Sequence, residues 1–113
     1  MHELSIAVNI SDIITEELHK AGASTVVEFD LEIGSLAGVV PEALEFALEE
    51  AFKDSPIAGS RINLHIIRAK AICNQCHTEF DAEQLYDLCP FCQSFDHQLI
   101  CGQELKISRL IVS

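Results

Sequence analysis

Four cysteines stand in two pairs, Cys73-Asn74-Gln75-Cys76 and Cys89-Pro90-Phe91-Cys92, with 12 residues between the pairs. Each C-x-x-C knuckle can turn two thiolates toward one point, and two knuckles at this spacing can surround one ion. Four sulfurs in a tetrahedron suit Zn(II), at about 2.3 Å per Zn–S bond. The insert that carries them, residues 73–101, has too little apolar surface to fold unaided, so metal binding would supply its folding free energy. A closed tetrathiolate leaves no position for water, which argues against hydrolysis at zinc and for a structural ion. A fifth cysteine, Cys101, lies outside the quartet and reads as a small, partly buried apolar side chain.

The same residues admit other chemistry. Two disulfides fit a reducing compartment poorly, and five thiols would leave one over. Cys73-Asn74-Gln75-Cys76-His77 matches the haem-attachment pattern C-x-x-C-H, but that reading requires export and leaves the second knuckle unexplained. A redox C-x-x-C wants a thioredoxin-like strand-helix context, which neither pair has. Iron is the stronger rival, because Cys89-Pro90-Phe91-Cys92 resembles a rubredoxin knuckle and iron also accepts four sulfurs. The protein would then be a rubredoxin-like electron-transfer protein. A third reading is a zinc-ribbon adaptor that only binds other proteins.

A second candidate site lies at the amino end. The free amine of Met1, the backbone nitrogen of His2 and its imidazole Nδ1 can chelate one ion through fused small rings, and the Glu3 backbone nitrogen can complete a plane of four nitrogens. Planar deprotonated nitrogens favour Cu(II) or Ni(II) over Zn(II). Glu3 also sets a carboxylate beside the site. The arrangement requires that Met1 be retained, and the large side chain at position 2 disfavours its removal.

The elements that must position these groups follow from hydrophobic periodicity. Residues 4–21 read as a helix with Leu4, Ala7, Val8, Ile14 and Leu18 on its core stripe and Ile10 and Ile13 widening it. His19 and Lys20 followed by Gly22 end it. Residues 25–33 alternate as a strand, Val27, Phe29, Leu31 and Ile33 inward and Glu28, Asp30 and Glu32 on a solvated acidic face. A second helix spans 41–53, with Pro41 in its first turn, Leu44, Ala47, Leu48 and Ala51 on its core face, and Phe46 and Phe52 flanking. Residues 61–67 form a strand with Ile62, Leu64 and Ile66 inward, and 104–112 form another after the insert. The expected fold is α+β, two helices packed on a three-stranded sheet with an inserted zinc-ribbon-like module. The expected division is an α/β domain of residues 1–72 plus 102–113, and a zinc-binding domain of residues 73–101.

With 113 residues, the chain makes one compact domain or one domain with a small satellite. Seven Lys and Arg stand against 18 Asp and Glu, a net charge of −11. Nucleic acid and anionic membranes are therefore disfavoured partners, whereas metal cations and basic protein patches suit the surface. No apolar run approaches the roughly 20 residues that span a bilayer, and the start lacks the pattern of a secretory signal. A cytoplasmic location is expected.

The opening Met1-His2-Glu3-Leu4-Ser5 resembles the start of the HypA/HybF family of hydrogenase nickel-incorporation proteins. Further matches are Ile33-Gly34 with Gly38-Val39, Pro41-Glu42-Ala43-Leu44-Glu45-Phe46, the four-cysteine insert, and Gly102-Gln103-Glu104-Leu105. Together they cover essentially the whole chain in order. The resemblance implies a nickel metallochaperone that is not an enzyme. It implies that His2 binds Ni(II), with Met1 and Glu3 as backbone donors, and that Cys73, Cys76, Cys89 and Cys92 bind Zn(II). It implies a GTPase partner and delivery to the [NiFe]-hydrogenase large subunit, with urease maturation served by some members. His77 and His97 flank the insert, where some relatives carry histidines, and they are not assigned as ligands.

Overall fold

A computed structural model describes residues 3–113. Eight elements follow in order: α1 (Glu3–Lys20), β1 (Val26–Gly34), α2 (Pro41–Phe52), β2 (Arg61–Ile67), β3 (Lys70–Cys73), β4 (Glu79–Asp81), β5 (His97–Cys101) and β6 (Leu105–Val112). They build the expected α+β fold from two separate three-stranded sheets. The first has the order β2-β1-β6, with β1 parallel to β2 and antiparallel to β6. The parallel pair follows from its connection, because α2 carries the chain across one face of the sheet before β2 begins. The second sheet, β4-β3-β5, is wholly antiparallel.

Both helices pack on one face of the first sheet. The core joins Ile6, Ala7, Ile10, Ile14 and Leu18 of α1 to Phe29, Leu31 and Ile33 of β1 and to Leu44, Ala47, Leu48 and Phe52 of α2. Phe52 meets Phe29 edge-on, with ring centroids 5.8 Å apart. Three expectations are corrected here. α1 is apolar on more than one side, and the stripe that faces the core is 6-7-10-14-18, so Leu4, Val8 and Ile13 are exposed. In β1 a bulge falls between Val26 and Glu28, and the extra residue turns Val26 inward and Val27 outward. Phe46 points to solvent, while Ile57, in the turn after α2, is fully buried. Ser55 turns the chain back at that point: its hydroxyl donates to the Phe52 carbonyl at 2.7 Å and accepts from the Ile57 amide at 3.2 Å.

The opposite face of the sheet is not a free acidic surface. Asn63 donates to Glu28 Oε2 at 3.0 Å and to Asp30 Oδ1 at 2.8 Å. Arg109 reaches Glu28 at 3.1 Å and Asp30 at 3.4 Å, and His65 Nε2 lies 3.1 Å from Asp30 Oδ2. The cause is register, which sets Asp30 between Asn63 on β2 and Arg109 on β6. Hydrogen bonding, chiefly from Asn63, then from His65, together with the Arg109 charge, holds the Asp30 carboxyl below its ordinary range.

The two sheets meet at a tight seam in a molecule of 54 × 24 × 17 Å. The chain leaves β1 through Gly34, Ser35 and Leu36. The Gly34 amide donates to the Glu104 carbonyl and the Leu36 amide to the Gly102 carbonyl, both at 2.7 Å. Ser35 Oγ accepts from the Ala69 amide at 2.9 Å, and Leu36 packs against the second core. Gly102, at φ +111°, is pressed against Ala69, and a Cβ on Gly34 would overlap the Gly102 carbonyl. No side chain larger than hydrogen fits at either position.

Candidate metal centre

The second sheet is built around β3, whose C-terminal residue is the first cysteine. Its core is small: Ala69, Ala71, Phe80 and Ala82 surround the buried Cys73 and Cys89. Each knuckle repeats one turn. At the first, the Cys73 amide donates to the Thr78 carbonyl at 3.0 Å and the His77 amide returns to the Cys73 carbonyl at 2.9 Å. At the second, the Cys89 amide donates to the Ser94 carbonyl at 2.8 Å and the Gln93 amide to the Cys89 carbonyl at 2.9 Å. The residue four places after the leading cysteine takes a left-handed backbone in both, His77 at φ 59° and Gln93 at φ 68°. Amides also point at sulfur: Gln75 and Cys76 reach Cys73 Sγ at 3.4 and 3.5 Å, and Phe91 reaches Cys89 Sγ at 3.4 Å.

These turns bring all four sulfurs within 4.8 Å of one another. Cys73 lies 3.4 Å from Cys92 and Cys76 lies 3.6 Å from Cys89. Tetrahedral Zn–S bonds of about 2.3 Å would set sulfurs about 3.8 Å apart, so the donor set fits Zn(II). None of the five cysteines is in a disulfide. The thiols are strongly unequal. Thr78, through its hydroxyl and its amide, draws Cys76 down to about 6, and the Cys76 amide lowers Cys73. At Cys92 the Ser94 amide pulls downward, but the Cys73 sulfur, burial and the other two sulfurs prevail and push it up to about 12. Sulfurs gathered this closely do not all ionise unless a cation sits among them. The N–H···S donors and Thr78 escaped the sequence reading, although Thr78 stands two residues after a knuckle.

Among the described residues, these cysteines form the one group of three or more His, Cys, Asp and Glu side chains close enough to share an ion. Cys101 Sγ is half-buried, 3.4 Å from the Arg68 carbonyl. His77 is exposed. His97 Nε2 donates to the Leu85 carbonyl at 3.1 Å, and its ring stands edge-on to Phe80. Of the expected nickel residues, Glu3 opens α1, whereas Met1 and His2 lie outside the described residues. The first amides of a helix have no partner within it, which leaves the Glu3 nitrogen available to a ligand.

No described helix is long and apolar enough to cross a membrane. The family model "Hydrogenase/urease nickel incorporation, metallochaperone, hypA" matches residues 1–112. The hydrogenase maturation factor HypA of Parabacteroides distasonis is 40% identical over 112 residues, covering 99% of this chain and 97% of its own. The factor of the same name from Geotalea uraniireducens is 38% identical, with 99% of each chain covered. The solution structure of the Ni metallochaperone HypA from Helicobacter pylori superposes with a TM-score of 0.71 at 19% identity, covering 99% of this chain and 97% of that one.

Proposed function

We propose, given that the chain belongs to the HypA family of nickel-incorporation metallochaperones, that it takes up Ni(II) at its amino end and passes it on during hydrogenase maturation. The whole-length match, beginning at the terminal residues themselves, carries this reading. His2 supplies the imidazole, and the Met1 amine and the His2 and Glu3 backbone nitrogens complete the plane. The acceptor is the [NiFe]-hydrogenase large subunit, reached with a GTPase partner, and urease maturation is a second destination. The protein works by transfer, not turnover. A chain terminus is accessible to an acceptor's ligands, and protonation of His2 and the amine as pH falls would loosen the ion.

Cys73, Cys76, Cys89 and Cys92 hold Zn(II), which organises the module and takes no part in transfer. The nickel-binding part comprises residues 1–72 and 102–113 and the zinc-binding part 73–101, the second sheet reaching back to Lys70. The protein acts in the cytoplasm. Titration of untagged, native-start protein with Ni(II) tests the reading. The wild type takes up one nickel beyond its zinc, and His2→Ala loses that nickel and keeps the zinc. Nickel uptake that survives His2→Ala refutes it.

A further inference from the structure

The metal module buries its small side chains and exposes its large ones. Its core is alanine and cysteine with Phe80 as its one ring, whereas every large apolar residue between 85 and 95 lies outside. Tyr86 is 74% exposed, Phe91 68% and Phe95 79%, with Leu85 and Leu88 more than half exposed beside them. The stretch is folded onto itself, the Cys89 amide bonding the Ser94 carbonyl and His97 bonding the Leu85 carbonyl, so the backbone that carries these side chains is gathered at one end of the module. Their exposed surface sums to on the order of 500 Å², an area comparable to a partner-binding patch. The fold does not require it, because bound metal supplies the module's folding free energy.

Charge selects the occupant. No Lys or Arg occurs from 71 to 105, while Glu79, Asp81, Glu83, Asp87, Asp96 and Glu104 do. Anionic lipid and nucleic acid are repelled, and a second copy would set carboxylates against carboxylates. We propose that this end of the metal module docks into an apolar recess rimmed by Lys and Arg on a partner protein. Tyr86, Phe91 and Phe95 are the anchors, and the carboxylates steer the encounter.

The choice of probes rests on the metallochaperone reading. Zinc-loaded full-length protein is titrated by calorimetry with purified hydrogenase-maturation GTPase and with purified [NiFe]-hydrogenase large-subunit precursor. One probe binds the wild type, and Phe91→Ser/Phe95→Ser weakens it at least about thirtyfold. Tyr86→Ser, outside the knuckles, weakens it in the same direction and stands in if the double variant loses zinc. Glu83→Lys/Gln84→Lys weakens binding at low salt and much less at high salt. Unchanged affinity in the serine variants, or no binding of either probe to the wild type, overturns the proposal. So does a dimer, or adhesion to phosphatidylserine vesicles, that the serine variants abolish. Nickel uptake is measured on the same samples and is expected to be equal in all of them. A wild type that takes up no nickel refutes the metallochaperone reading and leaves the docking result standing.

Discussion

The seam between the sheets makes a prediction with its own controls. Gly34→Ala adds a methyl group that meets the Gly102 carbonyl and the Gln103 amide, backbone atoms that cannot swing aside. Overpacking of this kind costs about 1–3 kcal/mol. Gly102→Ala adds the same kind of clash, against Ala69, and a left-handed backbone at φ +111°, which costs about 1–2 kcal/mol more. Gly59 has a comparable φ of +82° with open space around its Cβ position, so Gly59→Ala isolates the backbone cost. Lower entropy in the unfolded chain offsets about 0.4–1 kcal/mol in each variant. At roughly 4 °C per kcal/mol for a chain of this size, Gly59→Ala should melt a few degrees below wild type and Gly34→Ala several degrees below. Gly102→Ala should fall furthest, by about 4–18 °C, since both costs add before the same offset. Circular-dichroism melts of zinc-saturated protein, with zinc content checked before each scan, give the three values. The reasoning fails if Gly34→Ala melts above wild type, or if Gly59→Ala drops as far as Gly102→Ala.

The corrected face of α1 predicts that Ile14→Ala costs about 2–5 kcal/mol whereas Ile13→Ala stays within about 0.5 kcal/mol of wild type; urea denaturation compares them, and equal losses would mean the stripe is misplaced. Chelation of zinc should collapse the amide NMR signals of residues 69–101 and leave those of α1, β1 and α2 dispersed, because the two cores share no buried residue; loss of both sets together counts against it. Asp30 titrates below its ordinary value of about 3.9, so the carboxylate form stabilises the fold above that pH, and the contribution disappears as pH falls through the depressed folded value. Urea midpoints should therefore show wild type ahead of Asp30→Asn at neutral pH, with the gap closing below about pH 4; a gap that widens on acidification contradicts the Asn63–Asp30–Arg109 geometry.

Much of this was legible in the residues. Element boundaries follow periodicity and stop signals, and β2 falls on residues 61–67 as expected, although Ile66, expected inward, is exposed at the strand's end. The convergence of four sulfurs follows from two C-x-x-C spacings alone. What escaped was non-local. The α1 stripe is ambiguous in sequence because Leu4, Val8 and Ile13 are as apolar as Ile6 and Ile10, and only the position of the sheet decides between them. The bulge at Val26 shifts alternation by one residue without any composition signal. The neutralised face of β1 required strand order, since Asn63 and Arg109 are distant in sequence from Asp30 and become its neighbours only when β1 lies between β2 and β6. The exposed rings beside the second knuckle carry no signal in the sequence, because hydropathy alone does not tell a buried ring from an exposed one.

The seam has a kinetic consequence as well. β2 and β6 flank β1, and the entire metal module separates them along the chain. Before β6 can find β1, the intervening segment must bring its own two ends together, a closure whose entropic cost grows with the length of free chain. An ion that clips the knuckles shortens that free length, so zinc should speed the last step of assembly even though it touches no atom of the first sheet. The ion then acts as a timer for the distant sheet, and a chain starved of it during synthesis would linger with the edge of β1 unpaired and open to aggregation.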